Sequence, residues 1–340
     1  MTRARSTFSV AVLICAITAF DAGSRLAAQT ANPRPPQPQV AKVVDLMQMM
    51  AALPDTAPAP PKQPRKVLVL AKAAGFVHSS IPLATRTVEA LGQKTGAWTT
   101  VITYNPADIN SENLKQYDAI FLASTTGTFL DDPADASATA ARRAALLDFV
   151  RSGKGIAGIH AATDGYHGVV PGTSPATAPG QKAPEDGGAP IWPDYIGLIG
   201  GYFKFHWYFP TQITVKLDDP ASPVNAAFKQ HSFQIADEIY TFNQDSFSRS
   251  RVHVLASIDY DKMPAEIKAK ESAPQRTDHD YALSYIHREG QGRVFVTVLG
   301  HDESIYKIPA YLQHVLAGVQ YAIGDLAADD SPSGGTAQKE

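Results

Sequence analysis

At 340 residues, with 44% hydrophobic and 19% charged side chains, the chain has the balance of one large soluble domain or two small ones. A formal net charge of -3 gives neither a basic footprint for nucleic acid nor a polybasic patch for a membrane surface. The single cysteine, Cys15, lies in an N-terminal apolar run, so a chain cleaved behind that run has no thiol for disulfides, thiolate metal sites or nucleophilic catalysis.

Arg3 and Arg5 precede that run, which extends from Phe8 to Phe20, and Leu26-Ala27-Ala28 follows as a small-residue cleavage site. This pattern predicts a signal peptide over 1–28, too short to span a bilayer comfortably, and hence a periplasmic or secreted protein. The arginines are not adjacent, which favours the general secretory route over a twin-arginine one. Residues 29–64 form a Pro-rich leader, ANPRPPQPQ and APAPPKQPR, expected to be extended. Between these runs Val40–Leu53 has helical spacing and three methionines, and is expected to pack on the body of the protein.

The folded domain, 65–325, opens at Lys66–Leu70, a continuous apolar strand of the kind buried in a parallel sheet. The loop AKAAGFVHSS leads to a helix from Ile81 to Leu91, with Ser80 as its expected cap and Pro82 in its first turn. Trp98–Tyr104 is β-rich, 110–113 starts a short helix, and Ala119–Leu122 is a second buried strand. A strong helix, Ser137–Arg151, is closed by Gly153 before the strand Ile156–Ile159. Strand and helix alternate, so an open α/β sheet with right-handed crossovers is predicted. Residues 165–190 break the rhythm as a Gly/Pro/Ala/Thr loop, readable equally as the rim of a pocket or as a surface insertion. The second half is richer in strands: Gln212–Leu217, Phe233–Ile235, Val252–Ile258, Leu283–Ile286 and Arg293–Leu299. A helix, Pro309–Ile323, closes the fold, and 326–340 reads as a loose polar tail.

In GKGIAGIHAATDG the strand ends at His160, with small residues at Gly158 and Ala162. This is the outline of a nucleophile elbow with histidine at the tip, where serine or cysteine would stand. His78 and His301 share the grammar: each follows an apolar strand and a nearby glycine. Ligands of open α/β sheets bind outside the carboxyl ends of the strands, and three imidazoles meeting there would suit a divalent metal, zinc or similar. A lone histidine after a strand is ordinarily a hydrogen-bonded structural residue; three in matching positions are what point to a shared site. His206 and the pair Asp237-Glu238 are candidates to complete the pocket, and Asp164 is a candidate acid–base group. No G-x-S-x-G, Walker loop or G-x-G-x-x-G is present, which removes support for serine-hydrolase, nucleotide-triphosphatase and dinucleotide-binding readings.

The segments KVLVLAKAAGFVHSSIP, GKGIAGIHAATD, IGGYFKFHWYFPTQITVKLDDPASPV, DEIY and GQGRVFVTVLGH occur in this order. Together they resemble the ThuA-like family, named from trehalose utilisation, over about residues 65–325. The resemblance implies a flavodoxin-like, class I glutamine amidotransferase-like three-layer sandwich with a mainly parallel central sheet. It also implies a role in carbohydrate metabolism, on disaccharides or their 3-keto derivatives. With imidazole in place of the elbow thiol, glutaminase chemistry is not expected. The matching positions are Gly75, His78, Gly158, His160, His206, Glu238, Gly300 and His301; Trp207 and Tyr285 depart from the family's usual proline and tryptophan.

The resulting expectation is a metal held by His78, His160 and His301, with His160, Glu238 and Asp164 as catalytic groups. Gly75, Tyr202, His206 and Trp207 are expected to contact a small-molecule carbohydrate. No nucleic-acid partner is expected, and no membrane partner once the leader is removed. A second reading is a non-catalytic carbohydrate-binding or partner-docking module, whose aromatics Tyr202, Phe203, Trp207 and Tyr208 would stack on sugar rings if exposed. Substrate, metal and oligomeric state are not fixed by the sequence.

Overall fold

The computed structural model describes residues 37–168 and 188–335. The predicted signal peptide, the first part of the Pro-rich leader, most of the 165–190 loop and the end of the tail lie outside the described residues.

The strands are β1 (Lys66–Leu70), β2 (Thr99–Thr103), β3 (Ala119–Ala123), β4 (Gly155–Ile159), β5 (His167–Gly168), β6 (Ala189–Pro190), β7 (Phe203–Leu217), β8 (Phe233–Phe242), β9 (His253–Ile258), β10 (Ala282–Glu289) and β11 (Gly292–Thr297). The helices are α1 (Val43–Ala52), α2 (Ile81–Thr95), α3 (Ser111–Leu114), α4 (Ala136–Arg151), α5 (Pro193–Ile199), α6 (Ala265–Lys268) and α7 (Pro309–Ala322). Apolar runs without polar alternation can be buried only between two covering layers, and β1, β3 and β4 sit there, buried along almost their whole length.

One sheet runs in the order β2-β1-β3-β4-β11-β10-β9-β7-β8. From β2 to β11 every pairing is parallel; from β11 to β8 every pairing is antiparallel. The sheet is therefore mixed, a five-stranded parallel core of flavodoxin-like α/β type with an antiparallel extension on one side. Helices α2 and α7 pack together on one face and α4 and α5 on the other. Contact there is close: a Cβ on Gly318 of α7 would fall 2.3 Å from the Phe295 ring of β11. Helix α1 packs on the body through Met49, as expected, and Asp45 pairs with Lys307 at 2.8 Å.

Two local expectations change. Ser80 does not cap α2; its hydroxyl instead donates to the Gly300 carbonyl at 3.3 Å, joining two loops of the carboxyl edge. The strand expected at Gln212–Leu217 is much longer, because β7 pairs with β8 from Phe203 to Val215. Only Val215–Leu217 of β7 pairs with β9, so the rest of the β7–β8 hairpin reaches beyond the sheet proper. Along this hairpin Trp207–Thr211 spans four steps while its partner Ile239–Asp237 spans two. Tyr208, Phe209 and Pro210 fill the resulting bulge, and the Thr211 hydroxyl closes it on the Tyr208 carbonyl at 2.7 Å.

Candidate metal centre

β4 ends at Ile159 and turns directly into a 3-10 turn, His160–Thr163. His160 itself takes φ +45°, a left-handed conformation that strains any residue with a Cβ. The small neighbours explain how the turn closes: a Cβ on Gly158 would lie 2.8 Å from that of Ala162. The His160 ring is wholly buried, with Nδ1 3.0 Å from the Val298 carbonyl. A carbonyl can only accept, so Nδ1 carries the hydrogen and Nε2 presents its lone pair.

His78 arrives on the loop after β1. That loop is tied to the one after β3 by the Ala74 and Gly75 amides, which donate to the Thr126 carbonyl at 2.9 and 3.2 Å. His301 arrives after β11, beyond Gly300, whose φ of +119° and tight fit against the Tyr311 and Tyr306 hydroxyls suit only glycine. Glu238 arrives on the projecting half of β8. Its neighbour Asp237 is fully buried and accepts from the amides of Gly300 at 2.7 Å and Glu238 at 2.9 Å. One carboxylate thus fastens the His301 loop to the strand carrying Glu238. Burial pushes the Asp237 carboxyl up to about 7 against the opposing pull of these amides and those of His301 and Asp302.

His78, His160, Glu238 and His301 each place one donor atom within 4.8 Å of the others. Nε2 of His160 lies 3.2 Å from Nε2 of His78 and 3.2 Å from Nδ1 of His301. Oε1 of Glu238 lies 3.4 Å from Nδ1 of His301 and 3.8 Å from Nε2 of His160. A tetrahedral ion with bonds of about 2.0–2.1 Å has ligand–ligand edges of about 3.3–3.4 Å. Three of the donor separations, at 3.2–3.4 Å, stand near that spacing, a fourth is 3.8 Å and all lie within 4.8 Å, so the group could hold a metal. Burial is the main cause that lowers the His78 pKa to about 3 and the His160 pKa well below its usual range; the neighbouring imidazoles add to it. Both rings are therefore neutral at ordinary pH, as metal binding requires. The Nδ1 of His78 is buried and meets no hydrogen-bond partner among the described residues.

His206 stands behind Glu238, its Nδ1 3.1 Å from Oε2 but not in hydrogen-bonding geometry, while Oε1 of the same carboxylate faces the imidazoles of His160 and His301. Asp164 is not in the four-donor group; it pairs with His167, Oδ1 to Nε2 at 2.7 Å. Gly75 serves close approach between loops, since a Cβ there would fall 3.1 Å from Oγ1 of Thr126. Trp207 is placed otherwise than expected. Its ring is buried beside Tyr281 and its indole N–H donates to the Ile267 carbonyl at 2.8 Å, because strand alternation turns it away from the face that carries His206. Tyr202 is also buried, its hydroxyl donating to the Gly188 carbonyl at 2.9 Å. Tyr208 is exposed.

Sequence reasoning passed over Tyr240, whose ring packs on His160 at 4.2 Å between centroids; His167, in the loop read as a pocket rim or an insertion, stacks on Tyr202 at 5.2 Å. Tyr240 stands two residues after Glu238 and so shares its face of the strand, a signal that was available.

The fold and the cluster define a class: a flavodoxin-like α/β protein whose elbow carries an imidazole donor. The family profile described as "Trehalose utilisation" matches residues 66–322, and the chain belongs to the ThuA family. Among solved structures, a ThuA-like protein from Bacteroides uniformis is similar with 20% identity and a TM-score of 0.55, covering 80% of this chain and 97% of the other. A ThuA-like protein from Parabacteroides merdae is similar with 14% identity and a TM-score of 0.50, covering 78% and 93%. At these identities the likeness is one of fold. No curated protein matches the chain.

Proposed function

We propose that this ThuA-family protein is an exported enzyme that acts on a sugar or glycoside, including 3-keto derivatives, at a divalent metal held by His78, His160, His301 and Glu238. The observation that carries the reading is the convergence of four donor atoms from four separate chain segments within 4.8 Å of one another, three of their separations at 3.2–3.4 Å. A cation of the zinc type, when bound, supplies Lewis acidity toward a sugar carbonyl, hydroxyl or water. The chain's own groups do the rest. Val298 fixes the His160 tautomer, His206 places an imidazole against the outer oxygen of Glu238, and Asp237 holds the His301 loop against β8. The Asp164–His167 pair lies near Tyr240, which packs on His160, and is the group proposed to hold or move a proton there. The carbohydrate class rests on the family's name, and export rests on the apolar run Phe8–Phe20 with Leu26-Ala27-Ala28 behind it.

The test is metal content after purification without added metal. The expected result is near one equivalent in the wild type and less than a tenth of that in His160→Ala and His301→Ala. Near-zero metal in all three overturns the metal centre. A screen of disaccharides and their keto forms with and without chelator, read by mass spectrometry, then identifies the reaction.

A further inference from the structure

Half of the large hydrophobic side chains exposed among the described residues lie on one short segment: Val40, Val43, Val44, Met47 and Met50 are each 57–86% exposed. Four of them belong to α1. At about 100° per residue, Val43, Val44, Met47, Met50 and Ala51 share one face of that helix, with Gln48 at its edge, and all six are exposed. The opposite face is taken up by the body. Met49 and Leu53 are buried there, and Asp45, also buried, pairs with Lys307 at 2.8 Å. Lys307 follows Tyr306, whose hydroxyl donates to the Gly300 carbonyl at 2.9 Å, so the inward face braces the turn behind His301.

A helix that is apolar nearly all round is covered on both sides in a stable protein, and grouped apolar exposure marks an interaction surface. What covers the outer face of α1 must be apolar and uncharged. The chain's own remaining segments do not supply this. Residues 29–36 (QTANPRPP) and 336–340 (TAQKE) contain no large apolar side chain, and 169–187 contains two valines. A lipid surface does not match either, since α1 has no Lys or Arg and interfacial helices are rich in both. A second copy of the same face meets each requirement. It is apolar and has no charge to repel its twin. Its polar group, the Gln48 carboxamide, both donates and accepts, and so can pair with itself.

We infer that the protein forms a two-fold dimer by antiparallel packing of α1 on α1 of a second copy. Met47, at the middle of the face, meets its own counterpart at the axis, and Val43 of one copy meets Met50 of the other. The helix precedes residue 66, where the match to the family profile begins, so this contact belongs to the chain's leader and not to the shared domain. It is independent of the metal centre. The ten-residue helix is about 15 Å long. That is a small face beside the ~800 Å² per partner of a standard interface, which puts the expected dissociation constant in the micromolar range.

The test is sedimentation equilibrium over about 1–200 µM, on the protein isolated after removal of its signal peptide. The wild type is expected to pass from the chain mass to twice that mass. Met47→Glu, which sets two like charges at the axis, should stay monomeric throughout, and with Met47 exposed in the single chain its far-UV circular dichroism should be unchanged. Without Cys15 the chain has no thiol of its own. Met47→Cys should therefore oxidise to a disulfide-linked dimer, while Lys115→Cys, equally exposed beside α3, should not. A wild type that is monomeric at every concentration overturns the inference, as does a dimer that Met47→Glu leaves intact and Met47→Cys fails to cross-link. A monomer that co-sediments with vesicles of phosphatidylethanolamine and phosphatidylglycerol also overturns it, and assigns the face to lipid.

Discussion

Gly158→Ala tests whether the elbow is set by the two small residues around His160. The added Cβ falls 2.8 Å from the Ala162 Cβ and 3.3 Å from Cδ1 of Ile199, against the 3.5–4.0 Å of an ordinary carbon contact. Both neighbours are fully buried, so the 160–163 turn must move by several tenths of an ångström. Overpacking of this size costs about 1–3 kcal/mol. Replacing glycine by alanine in extended backbone returns about 0.4–1 kcal/mol through the unfolded chain. A net loss of about 1–2 kcal/mol should remain, read as a fall of a few degrees in Tm. Metal affinity should fall too, because the displaced turn carries Nε2 of His160. The decisive measurement is the double variant with Ala162→Gly, which removes the atom struck. Alone, Ala162→Gly should cost about 1 kcal/mol; combined, the pair should be more stable than the sum of the singles by about 1 kcal/mol or more. A Gly158→Ala protein with wild-type Tm and metal affinity, or strict additivity in the cycle, would refute the steric account.

Asp237→Asn places an NH2 group where Asp237 now accepts from an amide of Gly300 or Glu238, and should weaken zinc binding about 10–100-fold in chelator competition with little change in far-UV circular dichroism; unchanged affinity would disconnect the clamp from the site. Lys204 is buried with its ammonium on Glu271 at 3.1 Å, and Tyr281 donates to the same carboxylate at 2.6 Å. Lys204→Met should therefore cost about 3–5 kcal/mol in denaturant unfolding, and adding Glu271→Leu should recover much of it; a neutral single variant would show that the carboxylate is not buried as described. His314 donates from Nδ1 to the Val224 carbonyl at 2.9 Å, its Nε2 is 2.9 Å from the Ser284 hydroxyl, and burial lowers its pKa to about 4 from 6.5. The unfolded chain takes up this proton first, so the stability involved is complete above about pH 6.5 and is lost toward pH 4, about 3 kcal/mol in all. The stability gap between wild type and His314→Gln should shrink by most of that amount, about 2.5 kcal/mol, between pH 7.5 and 4.5, and parallel pH curves would exclude the effect.

The parallel core is legible because each strand is a compact apolar run bounded by glycine or polar turns, and β1, β3 and β4 fall within a residue of expectation. The β7–β8 hairpin is legible only in part. Around Tyr208-Phe209-Pro210 the aromatics fall on both faces and a proline intervenes, which reads as the end of a strand; the structure instead continues through a bulge. In β8 the buried pair Asp237-Glu238 interrupts the apolar pattern because it serves the site, the place where local rules are expected to fail. The three histidines are visible because each stands behind a strand near a glycine. Glu238 is visible as a candidate through the acidic pair in DEIY, but its place beside the imidazoles follows from the hairpin's projection past β9, a long-range fact. Trp207 shows the converse error: composition made it a sugar platform, while strand parity buries it and exposes Tyr208 instead.

An elbow ordinarily presents its reactive atom outward, to a substrate approaching over the strand ends. Here the tip residue is wholly buried, its Nδ1 is held by Val298, and its Nε2 looks at two other ring nitrogens 3.2 Å away. An acyl carbon cannot enter a gap already bounded by three imidazoles and a carboxylate, so the strained turn is not being used to expose a nucleophile. Its use is directional: φ +45° aims one nitrogen at a point that the β1 loop, the β11 loop and the projecting hairpin also address. The strain at His160, about 1–3 kcal/mol for such a conformation, is then the cost of placing a donor atom and not of activating one. The same backbone that serves group transfer with a thiol at its tip serves convergence with an imidazole there.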